Sequence, residues 1–231
     1  MHPKDAADRD SSAHHPALSA GAATRDIKQR SVSEPAPTSG PDKPAALARR
    51  VAAELERLQR PVVLVGLMGS GKSLMGQKLA NALGCDFVDS DAEVEAAAGM
   101  SVRHIFENLG EAAFRDGERR VIARLLESSL GVIALGGGAF EDSIIRRACL
   151  EKGICVWLDV DIDTLVKRVS GNRKRPLLQR GDPKTILSKL YEQRKPAYAE
   201  APIRFTASRY SQRRNRTMLL HKLEQYLRKS A

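Results

Sequence analysis

A parallel α/β sheet covered by helices on both faces is the fold class this sequence predicts, and three observations predict it. From residue 62 onward, short β-branched runs alternate with stretches whose apolar residues recur at helical spacing, the signature of strand and helix units that build a parallel sheet. The first run leads into Gly66-Leu67-Met68-Gly69-Ser70-Gly71-Lys72-Ser73, which satisfies GxxxxGKS/T in the strand-to-helix context that the motif requires. The 231 residues, 42% hydrophobic and 29% charged, suffice for one domain with a full core plus a tail.

Each element follows from its local pattern. Residues 1–43 are rich in Ala, Ser, Pro, Asp and His and have scarcely any large apolar side chains, so they read as a disordered tail ahead of a domain at 44–231. Leu47, Val51, Leu55 and Leu58 form one stripe of an amphipathic helix. Val62 to Val65 is too short for a helix and reads as a strand; a helix follows from about Lys72 to Leu83. Beyond it we expect a strand near Phe87 and Val88, helices between Asp91 and Glu127, a strand at Val132 to Leu135, a helix near Ile144 to Glu151, and a strand at Ile154 to Leu158. Helices near Thr164 to Val169 and Lys184 to Glu200, a strand at Ile203 to Thr206 and a helix near Met218 to Leu227 complete the alternation. In such sheets ligands bind at the carboxyl ends of the strands.

Composition excludes several functions. No apolar run approaches the roughly 18 to 20 residues of a membrane helix, so a soluble protein is expected. Cys85, Cys149 and Cys155 are an odd set with no CxxC spacing, which fits a reducing compartment, and residues 1–43 lack the apolar core of a secretory signal. A cytoplasmic location follows. The net charge of +10 is local: residues 165–216 hold 15 basic and 3 acidic side chains, whereas residues 47–164 hold 14 and 18. Aromatics make up 4% of the chain, too few for base-stacking platforms, so nucleotide phosphates are a better match for this charge than nucleic acid.

The chemistry concentrates at the strand ends. Glycines in the 66–73 motif let backbone amides converge on phosphate oxygens, Lys72 can reach a transferred phosphoryl group, and the Ser73 hydroxyl can ligate Mg²⁺. Asp89 and Asp91 follow the second strand; one reading gives Asp89 to Mg²⁺ and Asp91 to a substrate hydroxyl, another makes one of them a helix N-cap. The strand at 132–135 ends in Leu135-Gly136 with no acid, which shifts the metal role towards Asp89. Gly136-Gly137-Gly138 suits a backbone that approaches a ligand and donates amides to it, or else a loose turn. Leu187, Tyr191, Arg194 and Tyr198 share a helix face, so Arg194 points inward, to a structural salt bridge or to a substrate carboxylate held by two bonds, although Pro196 can distort that turn. Arg115, beside Phe114, poses the same alternative. The segment at about 171–182, with Arg173, Lys174, Arg175 and Arg180 between glycines, reads as a basic lid over triphosphate; a solvated charged face is the bland alternative.

In this order the pieces resemble shikimate kinase over roughly residues 60–228. The likeness rests on Gly66 to Ser73, Phe87-Val88-Asp89-Ser90-Asp91, Phe114-Arg115, Gly136-Gly137-Gly138, Arg175-Pro176-Leu177-Leu178, and Arg194 with Tyr198. Ser90 stands where the family often has Thr, which keeps the hydroxyl. The resemblance implies a P-loop fold of the nucleoside-monophosphate-kinase type, with a five-stranded parallel sheet of order 2-3-1-4-5 and a mobile lid. It implies transfer of the ATP γ-phosphoryl group to the 3-hydroxyl of shikimate, a step of aromatic amino-acid synthesis, with Mg²⁺. Carried over by residue, it implies that Gly69, Ser70, Gly71, Lys72, Ser73 and Leu74 cradle the nucleotide, with Arg168 and Arg175 as further nucleotide contacts. Ser73 and Asp89 serve the metal. Asp91 accepts from the ring hydroxyls, Arg115 and Arg194 hold the carboxylate, and Gly136, Gly137 and Gly138 line the acid's site. Lys72, Asp91 and Arg175 are the expected catalytic residues.

Two rivals remain. Another small-metabolite kinase of this fold, such as a gluconate kinase, would share Gly66 to Ser73 but has no evident need of two carboxylate-facing arginines beside three glycines. A nucleic-acid-binding or GTPase switch module is the other, and neither DxxG nor a guanine-reading NKxD or TKxD occurs in the chain. We expect shikimate and ATP as partners, no nucleic acid or membrane partner, and a monomer.

Overall fold

The structure is a computed structural model that describes residues 43–169, 181–206 and 211–230. The tail over residues 1–42 and residues 171–180 of the expected lid, with Arg175, lie outside the described residues.

Five strands form one sheet: β1 (Val62–Val65), β2 (Phe87–Asp89), β3 (Val132–Ala134), β4 (Ile154–Asp159) and β5 (Ile203–Thr206). Their order is β2-β3-β1-β4-β5 and every neighbouring pair is parallel, as expected. The register aligns Leu64 of β1 with Ala134 of β3 and Ala134 with Asp89 of β2, so the chain leaves all three strands at one edge. That alignment brings the loops after Val65, Asp89 and Ala134 together.

The helices are α1 (Lys43–Leu58), α2 (Lys72–Leu83), α3 (Ser90–Ala98), α4 (Val102–Ser128), α5 (Ser143–Lys152), α6 (Ile162–Val169), α7 (Pro183–Tyr198) and α8 (Gln212–Ser230). Side chains alternate across each strand, so the sheet divides the core in two. Val62, Leu64, Val132, Val156 and Phe205 face the layer of α1, α2 and α8, where Leu47, Val51, Leu79, Leu219 and Leu223 pack. Val63, Val65, Ile133, Cys155 and Trp157 face the other layer, with Ile122, Leu125, Ile145, Leu165 and Leu187. Among the described residues no helix is long and apolar enough to cross a membrane.

Three departures from expectation have local causes. The last helix begins at Gln212, well before its apolar stripe at Met218, because Gln212, Arg213, Arg214 and Arg216 are good helix formers that carry the helix without an apolar stripe. The expected helices after Asp91 are α3, which ends before Gly99 in the left-handed region, and α4, and the departure is the kink of α4 at Gly110, whose φ 81°, ψ 172° is a conformation essentially reserved for glycine. Helix α7 runs through Pro196 and ends at Tyr198, and the Ala199 N–H bonds back to the Lys195 carbonyl at 2.9 Å.

Candidate active site

Between β1 and α2 the chain has three glycines with positive φ, Gly66 at 141°, Gly69 at 80° and Gly71 at 93°, and the last stands at the N-terminus of α2. Lys72, the first residue of that helix, returns its ammonium over the loop and donates to the carbonyls of Gly66 (2.8 Å) and Leu67 (3.1 Å). Arg168, from the end of α6, donates to the carbonyls of Gly69 (3.2 Å) and Ser70 (3.1 Å), so it lies against the phosphate loop. Ser73 and Leu74 begin α2 on its exposed side.

The N-cap reading of the aspartate pair holds for Asp89, and the same carboxylate also reaches Ser73 of the phosphate loop. Asp89 Oδ1 accepts from the Asp91 N–H (3.1 Å) as the N-cap of α3, while Asp89 Oδ2 accepts from Ser73 Oγ at 2.7 Å. A hydroxyl and a carboxylate, both hard oxygen donors, therefore meet beside the phosphate loop, which is the donor chemistry that Mg²⁺ prefers when it keeps waters and phosphates as its other ligands. Among the described residues no group of three or more His, Cys, Asp or Glu forms a metal cage. Asp91 turns the other way. A Cβ on Gly136 would collide with Asp91 Oδ1 and lie 3.3 Å from Glu118 Oε1, so a side chain there would displace the Asp91 carboxylate.

The triple glycine differs from expectation in one respect. The Gly136 N–H is not offered to a ligand; it donates to Ser90 Oγ (2.9 Å), and Ser90 is fully buried, which gives the retained hydroxyl its task. The Gly137 carbonyl accepts from Arg194 Nη1 at 2.8 Å and from the Tyr198 hydroxyl at 2.5 Å, tying α7 to the loop. A Cβ on Gly138 would lie 3.3 Å from Arg115 Nη2 and 3.4 Å from Arg194 Nη2. Two guanidinium groups from distant segments thus converge above Gly138, and like charges so placed call for an anion between them.

Neither arginine is unsupported. Arg115 Nη1 donates to Glu118 Oε2 (2.7 Å), and Glu111 Oε1 lies 3.4 Å from Nη2. Glu118 is 2% exposed, and burial pushes its carboxyl above the usual range, opposed by the bond from Arg115. Arg194, 8% exposed, has Nε 2.8 Å from Glu141 Oε2, close enough for an ion pair though not aligned as a hydrogen bond. Each arginine thus forms the structural salt bridge of the first alternative, Arg115 with Glu118 and Glu111 and Arg194 with Glu141, while Nη2 of each also lies near the same point over Gly138. Reading the sequence alone missed Glu118 and Glu141. Glu118 carried a signal, an acid interrupting the buried face made by Phe114, Val121, Ile122 and Leu125; Glu141 carried none.

Burial also pushes the Tyr198 hydroxyl up to about 12, so it stays protonated and donates to Gly137. Trp157 of β4 packs against Tyr191 and Tyr198, with ring centroids 6.3 and 6.0 Å apart, and fixes α7 over the sheet.

Comparison with known proteins falls on these same segments. The shikimate kinase from Novosphingobium aromaticivorans is 48% identical over 175 residues, covering 74% of this chain and 91% of the relative. That from Paramagnetospirillum magneticum is 55% identical over 147 residues, covering 64% and 75%. Among solved structures, shikimate kinase from Acinetobacter baumannii in complex with shikimate superposes with a TM-score of 0.65 at 33% identity, over 74% of this chain and 94% of that one. A gluconokinase from Sinorhizobium meliloti, at 17% identity and a TM-score of 0.50, shares the fold alone. The sequence pattern of the shikimate kinase family spans residues 68–225, from inside the phosphate loop to the last helix, and with it the chain belongs to the shikimate kinase family.

Proposed function

We propose that this chain phosphorylates shikimate at its 3-hydroxyl with ATP, giving shikimate 3-phosphate and ADP. The observation that carries the reading is the pair of Nη2 groups of Arg115 and Arg194 converging over Gly138, in line with the phosphate loop and Asp91 along one sheet edge. An acid with hydroxyls on the same small ring matches that row: its carboxylate lies between the guanidiniums and its reacting hydroxyl near Asp91.

Each role follows from placement. The backbone from Gly69 to Lys72 at the start of α2 holds the nucleotide phosphates, and Arg168, bonded to the Gly69 and Ser70 carbonyls, is a further nucleotide contact. Lys72 moves from the carbonyls of Gly66 and Leu67 to the phosphoryl oxygens as charge develops there. Ser73 and Asp89 would hold Mg²⁺, which neutralises phosphate charge when bound. Asp91 orients the hydroxyl for in-line attack and receives its proton as the new O–P bond forms and the bond from the γ-phosphorus to the bridging oxygen of ADP breaks. Arg175 belongs to this reading by sequence alone. The odd set of three cysteines without CxxC spacing supports a reducing cytoplasm, and action as a monomer is part of the same reading.

The test is an ADP-release assay of the purified chain with shikimate, gluconate and nucleoside monophosphates, alongside Lys72→Ala. Turnover dependent on shikimate and abolished in Lys72→Ala, with the far-UV circular dichroism unchanged, is expected; a variant keeping most of its kcat would refute the role of this loop.

A further inference from the structure

Arg115 and Arg194 reach Gly138 from different helices, and each needs something to aim it. For Arg115 that is Glu118, one turn along α4 and nearly fully buried. For Arg194 the structure offers Glu141, in the short 3₁₀ turn Ala139–Glu141 directly after the triple glycine. We propose that Glu141 is a positioning residue for the substrate's acid group: it holds the Nε side of Arg194, so that Nη2 faces the same point above Gly138 as Nη2 of Arg115. The proposal deepens the proposed function and rests on it.

Glu141 is well placed to aim a side chain because its own backbone is held on both sides. Its N–H bonds to the Gly138 carbonyl at 3.1 Å. Arg146 Nη1 donates to the carbonyls of Phe140 (3.1 Å) and Glu141 (3.0 Å), and Arg146 Nε pairs with Glu200 at 2.9 Å. A guanidinium presents three faces of donors in a rigid plane, so fixing two fixes the third. The Gly137 carbonyl takes Nη1, the Glu141 carboxylate holds the Nε side as an ion pair at 2.8 Å, and Nη2 is left pointing at Gly138. The substrate carboxylate then receives one donor from each arginine rather than both from Arg194.

Glu141 is not needed to dock α7. That helix stays tied to the loop through Arg194 Nη1 and Tyr198 on the Gly137 carbonyl, and to the sheet through Trp157. Removing Glu141 therefore acts on the orientation and charge environment of one guanidinium. The effect is expected on the acid rather than the nucleotide, because Arg194 bonds to the loop after β3 whereas Lys72 and Arg168 bond to the phosphate loop.

The experiment measures kcat and both KM values for the wild type, Glu141→Ala and Glu141→Gln, together with a shikimate titration followed by the fluorescence of Trp157, the only tryptophan, which packs on α7. Glu141→Ala should raise the shikimate KM and the titration midpoint by roughly tenfold or more, as expected for loss of a charge-assisted contact, with kcat and the ATP KM within about twofold. Glu141→Gln should fall between, since it keeps an acceptor oxygen and loses the charge. An unchanged shikimate KM in Glu141→Ala overturns the proposal, as does an equal rise in both KM values; a fall would show that Glu141 competes with the substrate for Arg194, which overturns it too. A wild-type chain without shikimate-dependent turnover overturns the proposed function, and this inference with it, before any variant is compared.

Discussion

Asp89 and Asp91 are one residue apart, yet the start of a helix between them sends their carboxylates to different neighbours. Asp89, still extended at φ −105°, ψ 120°, caps α3 with one oxygen and meets Ser73 with the other. Asp91 is already helical and lies over Gly136, near Glu118. The division predicts separable defects. Asp91→Asn keeps the shape and one acceptor but removes the charge and the base, so kcat should fall at least about 10²-fold with the ATP KM little changed. Asp89→Asn preserves a cap, since Asn caps as well as Asp, so its main effect should be a higher Mg²⁺ concentration for half-maximal rate. Titrating Mg²⁺ against rate in both variants decides it: if Asp91→Asn shifts the Mg²⁺ requirement and Asp89→Asn does not, the two roles are exchanged. Lys72 and Ser73, and likewise Asp89 and Asp91, stood out in the sequence because each pair sits within a single strand-to-helix unit, β1 to α2 for the first and β2 to α3 for the second. Glu141 was not legible, because its partner Arg194 is brought to it only by the packing of α7 over the loop after β3, and no local pattern encodes that meeting.

At the scale of elements, the strands and helices were legible because each is short and buried on a recognisable period; β1, α2 and β5 occupy the expected residues. The kink in α4 was not, since Gly110 stands in a helical pattern and a lone glycine there reads as tolerated rather than as a break. Its conformation has a consequence for the site. The segment before Gly110 carries Phe106, whose ring lies 4.7 Å from that of Phe114, and the segment after it carries Glu111, Arg115 and Glu118. Arg115 in turn lies over the Phe114 ring at 5.2 Å. A Cβ on Gly110 would meet nothing within 4 Å, so substitution there is opposed by backbone conformation alone. Gly110→Ala should therefore lower stability by about 1–3 kcal/mol, the cost of holding a side chain in that region. If the helix straightens to escape the strain, Phe106 leaves Phe114 and the shikimate KM rises as well. A denaturant titration with unchanged midpoint would show that the kink is not needed.

For the whole molecule, the question is where the folded unit begins. The family pattern starts at residue 68, inside the phosphate loop, and by that measure α1 is an appendage. The packing says otherwise. Leu47, Val51 and Leu55 of α1 are 2%, 1% and 5% exposed and share one core layer with Leu79 of α2 and Leu219 and Leu223 of α8. Arg50 also pairs with Glu224 of α8 at 2.8 Å, an exposed contact of little weight beside the burial. Burying an aliphatic side chain is worth about 1.5–3 kcal/mol, so three of them approach the whole stability of a domain, about 5–15 kcal/mol. Two truncations should therefore behave differently. Deleting residues 1–42 removes none of these contacts, and we expect kcat, both KM values and the melting temperature to stay close to those of the full chain. Deleting residues 1–59 strips the cover from α8 and the outer face of β1, and should yield a chain that melts far lower or fails to fold, although every proposed catalytic residue remains. Loss of activity in the shorter deletion would show that residues 1–42 contribute to the domain, and a stable, active longer deletion would show that α1 is dispensable and that the layer of α2 and α8 closes without it.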